Sequence, residues 1–428
     1  MAHEHDLLHS EALAATFDAQ CALTALKELR SLTANQDGAQ RVAWTSTWRE
    51  ARAWFASKLA GLPVESHRDA AGNNWHTLKG ASDRVLILGS HLDSVPNGGW
   101  LDGALGVLAG YAILRHYATA SAPPPVTIRL VDWADEEGAR FGRSLFGSSA
   151  FAGTHTIAAD RHRMDKDGVP LEEALADNGI QIDRIGDAAL ERAHAAAYLE
   201  LHIEQGPVLE GLGLPLGAVT GTKGVERHAI TFHGQEAHSG STPMAVRRDA
   251  LAAAAKLALE IRIIAGKHHD AVCTMGSLKT FPGIVTAVVG RAEATLDQRD
   301  LDAQILSQMY TEAQEASLRF AEEERCTVEW SRIWNIEPLP FHPRLIELCD
   351  EAIQETAGQS RRLPSGPLHD AAEVARLGIP TTMMFVQSLG GISHNKIEDS
   401  REEHILLAVR AFHTLAAKTM NWILSQPS

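Results

Sequence analysis

The sequence predicts an α/β protein with an inserted second domain. Three observations point that way. Strand-like and helix-like segments alternate through residues 47 to 134. A β-α-β-β-α-β order fills the middle of the chain. The first rhythm then resumes towards the C-terminus. Alternation of this kind implies a mostly parallel sheet with helices on its faces. The middle pattern is ferredoxin-like.

The elements follow in order. "TWREARAWFASKLAGL" (47 to 62) has helical periodicity and a stop at Gly61. "RVLILGSH" (84 to 91) is a short apolar run of the buried-strand type. "ALGVLAGYAILRHYA" (104 to 118) reads as an apolar helix and "VTIRLVDWA" (126 to 134) as the next strand. The inserted pattern runs from the strand "VERHAITFHG" (225 to 234) to the helix at 244 to 266. Two strands at 271 to 280 and 290 to 299, a helix at 303 to 324 and a strand at 326 to 334 complete it. A helix at 342 to 358, a strand at 379 to 388 and a closing helix at 401 to 424 return to the first rhythm. The expected organisation is a larger domain in two parts, 1–213 and 331–428, around an inserted domain at 214–330.

Composition is that of an ordinary globular protein, 45% hydrophobic and 22% charged. A net charge of −15 argues against nucleic acid and anionic membrane surfaces as partners. A small anionic substrate remains open, since a few local arginines can overcome the mean field. Cys21, Cys273, Cys326 and Cys349 are scattered without CxxC spacing, which suggests free thiols in a cytoplasmic protein. The N-terminus lacks the basic and apolar regions of a signal peptide. No apolar run reaches the ~18 residues of a membrane span.

Ligands of open α/β sheets bind beyond the carboxyl ends of the strands. Seven imidazole and carboxylate residues fall at such ends or in Gly-rich loops. They are His91 and Asp93 in "GSHLDS", Asp102 in "GGWLDGALG", Glu136 and Glu137 in "ADEEG", His202 in "LHIEQGP" and His394 in "GGISHN". A single His-x-Asp is common, and a run of acids is usually a solvated turn. Their convergence on one sheet gives the set its meaning. Mixed imidazole and carboxylate suits Zn²⁺, Mn²⁺, Co²⁺ or Ni²⁺. Two such ions bridged by a carboxylate form a hydrolytic centre. Other chemistries fit less well: there is no G-x-S-x-G elbow and no Walker A loop. "GLGLPLG" (211 to 217) has a proline where a dinucleotide-binding helix would begin.

Taken together and in order, "GSHLDSVPNGGWLDGALGV", "DEEGARFGRSLFGS", "LHIEQGPVLE", "GQEAHSGSTPMAVRRDA", "TLDQR" and "GGISHN" resemble the dinuclear metallo-amidohydrolases of the aminoacylase/carboxypeptidase-like superfamily. Within it they are most similar to the branch of N-carbamoyl-L-amino-acid hydrolases, β-ureidopropionases and allantoate amidohydrolases. The similarity covers about residue 40 to 415.

The resemblance implies two divalent metal ions, Zn²⁺ or Mn²⁺, Co²⁺ or Ni²⁺. His91 and His202 would hold one, Glu137 and His394 the other, and Asp102 would bridge them. Asp93 would orient His91, and Glu136 would be the general base. The inserted domain would act as lid and dimerisation domain of a homodimer. Its His238 would stabilise the oxyanion across that dimer. Gln205, Arg227, Thr286, Arg299 and His369 would contact a small carboxylate-bearing substrate. Thr286 stands where the branch carries Asn, and "SGPLHDA" (365 to 371) replaces its "SGAGHDA". The expected reaction is hydrolysis of the linear C–N bond of an N-carbamoyl amino acid. An N-acyl-amino-acid or conjugate hydrolase, or a dipeptidase, would use the same centre. So would a catalytically silent binding scaffold, against which the intact Glu136 speaks.

Overall fold

The computed structural model describes residues 17–427. Most of the N-terminal stretch read as lacking a signal peptide lies outside them. Among the described residues no helix is long and apolar enough to cross a membrane. The four cysteines are free.

In chain order the main elements of the first half are α1 (Gln20–Thr33), α2 (Ser46–Lys58), β1 (Glu65–Arg68), β2 (Asn74–Leu78), β3 (Val85–His91), α3 (Ala104–Ala118), β4 (Thr127–Trp133), α4 (Phe146–Ala152), β5 (Ala195–Ile203) and β6 (Leu216–Thr222). The middle comprises β7 (Gly224–His233), α5 (Ala250–Ala265), β8 (Val272–Phe281), β9 (Arg291–Asp300), α6 (Ala303–Glu323) and β10 (Thr327–Ile336). Then come α7 (Pro343–Ala357), β11 (Arg362–Ser365), α8 (Asp370–Arg376), β12 (Thr381–Val386) and α9 (Glu402–Ser425).

The chain divides into two compact units. The first runs to Thr220 and takes in Phe341–Leu363 and the chain from Leu368 onward; the second is Gly221–Pro340 with Pro364–Pro367. A nine-stranded sheet carries the first unit, its longer strands in the order β6-β12-β5-β3-β4-β2-β1. The central four, β12, β5, β3 and β4, are parallel. Their side chains alternate between two cores, as the pleat requires. Leu86, Leu88, Ile128, Leu130, Leu199 and Leu201 pack on one face with α1, α3, α7 and α9. Ile87, Val131, Trp133, Tyr198 and Phe385 pack on the other. Such double-sided burial explains why these strands read as unbroken apolar runs.

Helix α3 is apolar on nearly every side because it is buried from Ala104 to Leu114. Gly106 lets it approach β5 closely: a Cβ there would lie 2.5 Å from the carbonyl oxygen of Leu201.

In the second unit the antiparallel order is β8-β9-β7-β10. Helices α5 and α6 supply Leu257, Ile261, Met309 and Ala313 to a core with Ile230 and Phe232. The α/β class and the central parallel sheet are those expected.

Several boundaries differ from the expectation. The division between units falls at Gly221 and Pro340 rather than at 214 and 330. Leu216–Val219 pair antiparallel with β12 in the main sheet, and β10 runs on to Ile336. Helix α5 starts at Ala250, not 244, since Asp249 caps it and Pro243 to Arg248 precede it in non-α backbone. Helix α1, the antiparallel strands β1 and β2 and the strand β6 have no counterpart in the sequence reading.

Candidate metal centre

The parallel strands all point their carboxyl ends the same way, and that edge gathers the candidate residues. His91 is the last residue of β3, His202 the penultimate residue of β5. Glu136 and Glu137 follow β4, and His394 follows β12. Asp102 lies just before α3, whose N-cap is Gly103 at φ 64°. Only glycine suits this position. The backbone is left-handed, and a Cβ would lie 2.4 Å from the His91 ring.

Asp102 is the shared point of two donor groups. His91, Asp102 and His202 form one, and Asp102, Glu137 and His394 the other; in each, one ligand atom per residue lies within 4.8 Å of the rest. Asp102 Oδ1 faces the Nε2 atoms of His202 at 3.1 Å and His91 at 3.8 Å. Its Oδ2 faces His394 Nε2 at 3.3 Å, and that nitrogen is also 3.3 Å from Glu137 Oε2. Both buried histidines engage their Nδ1 elsewhere, His91 with the Asp93 carbonyl at 3.1 Å and His202 with the Ile203 carbonyl at 2.9 Å. That leaves Nε2 to face Asp102. His202 Nε2 is buried and, despite its nearness to Asp102, is not aligned for a hydrogen bond. Two close donor atoms with no hydrogen bond between them fit a pair of ligands to one cation. The donor set, three imidazoles and two carboxylates, is also right for first-row divalent ions.

Asp93 ties the two loops together. Its carboxylate accepts the backbone N–H of Glu136 at 3.3 Å and of Glu137 at 3.2 Å, and Oδ1 lies 3.5 Å from His91 Nδ1. The acid run thus separates into different environments. Asp132 is fully buried, paired with Arg52 at 2.6 Å, and accepts the Leu92 N–H at 2.9 Å. Asp135, at φ 56°, accepts the Trp44 indole N–H at 2.8 Å. Glu136 carries Oε2 to 3.6 Å from His91 Nε2. Asp132 and Asp135 therefore buttress the loop from behind, while Glu136 and Glu137 face the donors.

Protein charges alone leave this cluster electrostatically strained. Burial, then Asp370, Glu137 and Asp93, push the Glu136 carboxyl well above the usual range. Burial and Asp102 raise Glu137 to about 7. The hydrogen bond to Asp102 and the charge of Glu137 raise His394 to about 9. Burial opposes ionisation of Asp102, yet His202, His394 and His91 hold it well below the carboxylate norm. Divalent cations would reverse this logic, favouring ionised carboxylates and neutral imidazoles throughout.

Glu398 escaped the sequence reading. It accepts the backbone N–H groups of Leu101 and Asp102, both at 3.1 Å, and its Oε2 lies 2.8 Å from Ser393 Oγ. It therefore fixes the loop that presents Asp102. It sits in "NKIEDS", which carries no periodic or spacing signal. Glu200 escaped as well: a buried carboxylate that accepts from Ser90 Oγ, Tyr198 OH and the Ala371 N–H, it underlies the His202 and His369 region. Its place two residues before His202, on the same face of β5, was the available clue.

The expected substrate residues divide between the units. In the first, Gln205 Nε2 donates to Asp102 Oδ2 at 3.0 Å. His369 is buried against His202, ring centroids 4.4 Å apart, and burial and His202 keep it neutral by pulling its pKa well down. In the second unit, Arg227 and Arg299 share Asp297, each through Nε at 2.8 Å, and Arg227 lies over the Trp334 ring. His238 pairs with Ala287 across a two-residue ladder, and the Thr286 carbonyl accepts the N–H of Ser239 at 2.9 Å. Thr286 thus lies at the end of the short ladder that holds His238.

Residues 87–418 match the model of peptidase family M20/M25/M40. The chain is 36% identical over 389 residues to an N-carbamoyl-L-amino acid amidohydrolase of Geobacillus stearothermophilus, covering 88% of this chain and 93% of that protein. It is 30% identical to an allantoate amidohydrolase of Bacillus subtilis, covering 89% and 92%. Among solved structures, an amidase of the hydantoinase/carbamoylase family from Burkholderia multivorans superposes with a TM-score of 0.84 at 31% identity, covering 96% of this chain and 99% of that one.

Proposed function

We propose a reaction from one premise: the chain belongs to the M20/M25/M40 peptidase family. Enzymes of this family are metal-dependent. The reading is a metal-dependent hydrolase of linear amides whose substrates are N-carbamoyl (ureido) amino acids, giving amino acid, CO2 and ammonia. The observation that carries it is the sharing of Asp102 between two donor groups with Glu136 beside them and outside both. The similarity to a carbamoyl-amino-acid hydrolase and an allantoate hydrolase supports a ureido substrate.

His91 and His202 would hold one divalent ion, Glu137 and His394 a second, and Asp102 both. Zinc and manganese suit these donors. The ions supply Lewis acidity towards the amide carbonyl and towards water. Glu136 takes the proton of the attacking water on its carboxylate and returns it to the leaving nitrogen. Asp93 holds the His91 ring and the backbone of both glutamates in place for that transfer. Arg299 pairs with the substrate carboxylate, its planar fork suiting bidentate contact. Arg227, Gln205, His369 and Thr286 line the substrate. His238 of the second subunit in a cytoplasmic homodimer stabilises the oxyanion, and the inserted domain serves as lid.

The test is a panel of N-carbamoyl, N-acetyl and dipeptide substrates with zinc- and with manganese-loaded protein, reading ammonia and free amine separately. Ammonia from the ureido compounds alone is the expected result. Turnover of acetyl or peptide substrates without ureido hydrolysis would replace this reading with an aminoacylase or dipeptidase.

A further inference from the structure

Arg41 and Arg52 are both buried in the first unit, and they are held differently. Arg52 meets Asp132 in a contact ion pair at 2.6 Å. Arg41 has no such partner among the described residues. Its Nε donates to the Leu92 carbonyl at 2.8 Å, its Nη1 to Thr33 Oγ1 at 3.3 Å, and its Nη2 has no hydrogen-bond partner. A buried charge with only neutral contacts is costly unless something nearby offsets it. An arginine cannot escape by losing its proton.

Arg41 is bonded directly to the turn that carries His91 and Asp93. The carbonyl it binds belongs to Leu92, between His91 and Asp93. Its backbone is joined to the next residues of that turn: the Arg41 N–H donates to Ser94 Oγ and the Ser94 N–H to the Arg41 carbonyl, both at 3.1 Å. Burial lowers the pKa of the guanidinium, while Glu398, Asp93, Asp102 and Glu137 act to raise it. These four carboxylates belong to or support the candidate metal centre, and no contact pairs any of them with Arg41.

We propose that Arg41 is the fixed internal cation of the metal centre, a positioning residue that sits behind the His91–Ser94 turn and offsets the charge of Asp93, Asp102, Glu137 and Glu398. This inference rests on the reading of those residues as a metal site. Two effects follow from a permanent charge in that place. In metal-free protein it relieves repulsion among the carboxylates, so the site keeps its shape. Towards incoming divalent cations it is repulsive, so it weakens their binding. A residue that merely fills space or ties two loops would stabilise both forms alike.

The experiment uses metal-stripped full-length protein and Zn²⁺, with affinity read by competition against a chromophoric chelator and melting followed with and without the ion. R41Q keeps a donor for the Leu92 carbonyl and removes the charge. R41K keeps the charge. T33V removes one hydrogen bond and no charge. R41Q is expected to bind Zn²⁺ about tenfold or more tightly than wild type, and to show a larger gap between metal-free and loaded melting temperatures. R41K and T33V are expected to keep the wild-type affinity and gap. Equal lowering of both melting temperatures in R41Q, weaker Zn²⁺ binding by R41Q, or an R41K that behaves as R41Q would overturn the proposal, as would a tenfold change of affinity in T33V. Failure of the wild type itself to bind Zn²⁺ would remove the metal-site reading instead.

Discussion

Glu136 and Glu137 are adjacent, yet one peptide unit separates two different situations. Glu137 meets His394 and shares that nitrogen with Asp102. Glu136 approaches His91 only at 3.6 Å and has burial and three carboxyl neighbours working against its charge. A carboxylate beside the donor atoms but outside both donor groups is placed to move a proton rather than to hold an ion. E136Q is therefore expected to lower kcat about a hundred- to ten-thousand-fold while retaining wild-type metal content by elemental analysis. Loss of metal together with activity would instead make Glu136 a ligand. At this scale much was legible. His91, Asp102, Glu137, His202 and His394 each occupy a short motif at a predicted strand end or in a Gly-rich loop, and the structure brings all five together. Glu398 and Arg41 were not, because they act from behind. Their partners are backbone amides and carbonyls distant in sequence, a relation that no local pattern encodes.

Among elements, strand β3 and helix α3 were readable to within a residue because continuous burial imposes a continuous apolar run. Strand β6 was missed for the opposite reason. It begins in a Gly- and Leu-rich stretch that mimics a loop, and its pairing with β12 and other strands distant in sequence makes it a strand. The start of α5 shows local chemistry winning over periodicity. The apolar pattern extends back to residue 244, but the Asp249 side chain accepts from the N–H groups of Leu251 and Ala252 and sets the first turn there. D249A is expected to cost about 1 kcal/mol, read as a lower denaturant midpoint with an unchanged m-value. An unaltered midpoint would show that α5 is held by packing alone.

The whole molecule carries a pH dependence that originates away from the centre. His76 is buried, and burial with the charge of Arg52 depresses its pKa from 6.5 to about 4. It is neutral in the fold at pH 5 and charged once unfolded, so unfolding takes up a proton between about pH 6.5 and 4. Its contribution is complete above pH 6.5 and is lost as pH falls from 6.5 to about 4, a loss of about 3 kcal/mol. His413, stacked on Phe17 and likewise lowered to about 4, acts in the same sense. Glu137 and Asp135, raised to about 7 and 8, titrate with the opposite sign in metal-free protein. The informative measurement therefore compares a variant with its parent. Metal-free H76Q should lose less melting temperature than wild type between pH 6.5 and 4; an identical loss would mean that His76 does not titrate as described. The α/β architecture and the two-part chain path were foreseeable from segment order, whereas this balance depends on burial that emerges only on folding.

The second unit leaves the first after Thr220 and the chain returns at Phe341, whose N–H donates to the Thr220 carbonyl at 2.9 Å. Gly221 and Pro340 are likewise register partners. The inserted unit is therefore joined to the chain through two paired strands, as the loop of a β-hairpin is joined through its own. A loop whose ends already touch can be exchanged for a short turn at little closure cost. Replacing residues 221–340 with a two-residue hairpin turn should give a folded, zinc-binding α/β protein that has lost His238 and Arg299 and with them substrate turnover, a portable metal-binding scaffold onto which other recognition modules could be grafted. An insoluble product, or one that melts without cooperativity, would mean that the inserted unit is needed for the main sheet to fold.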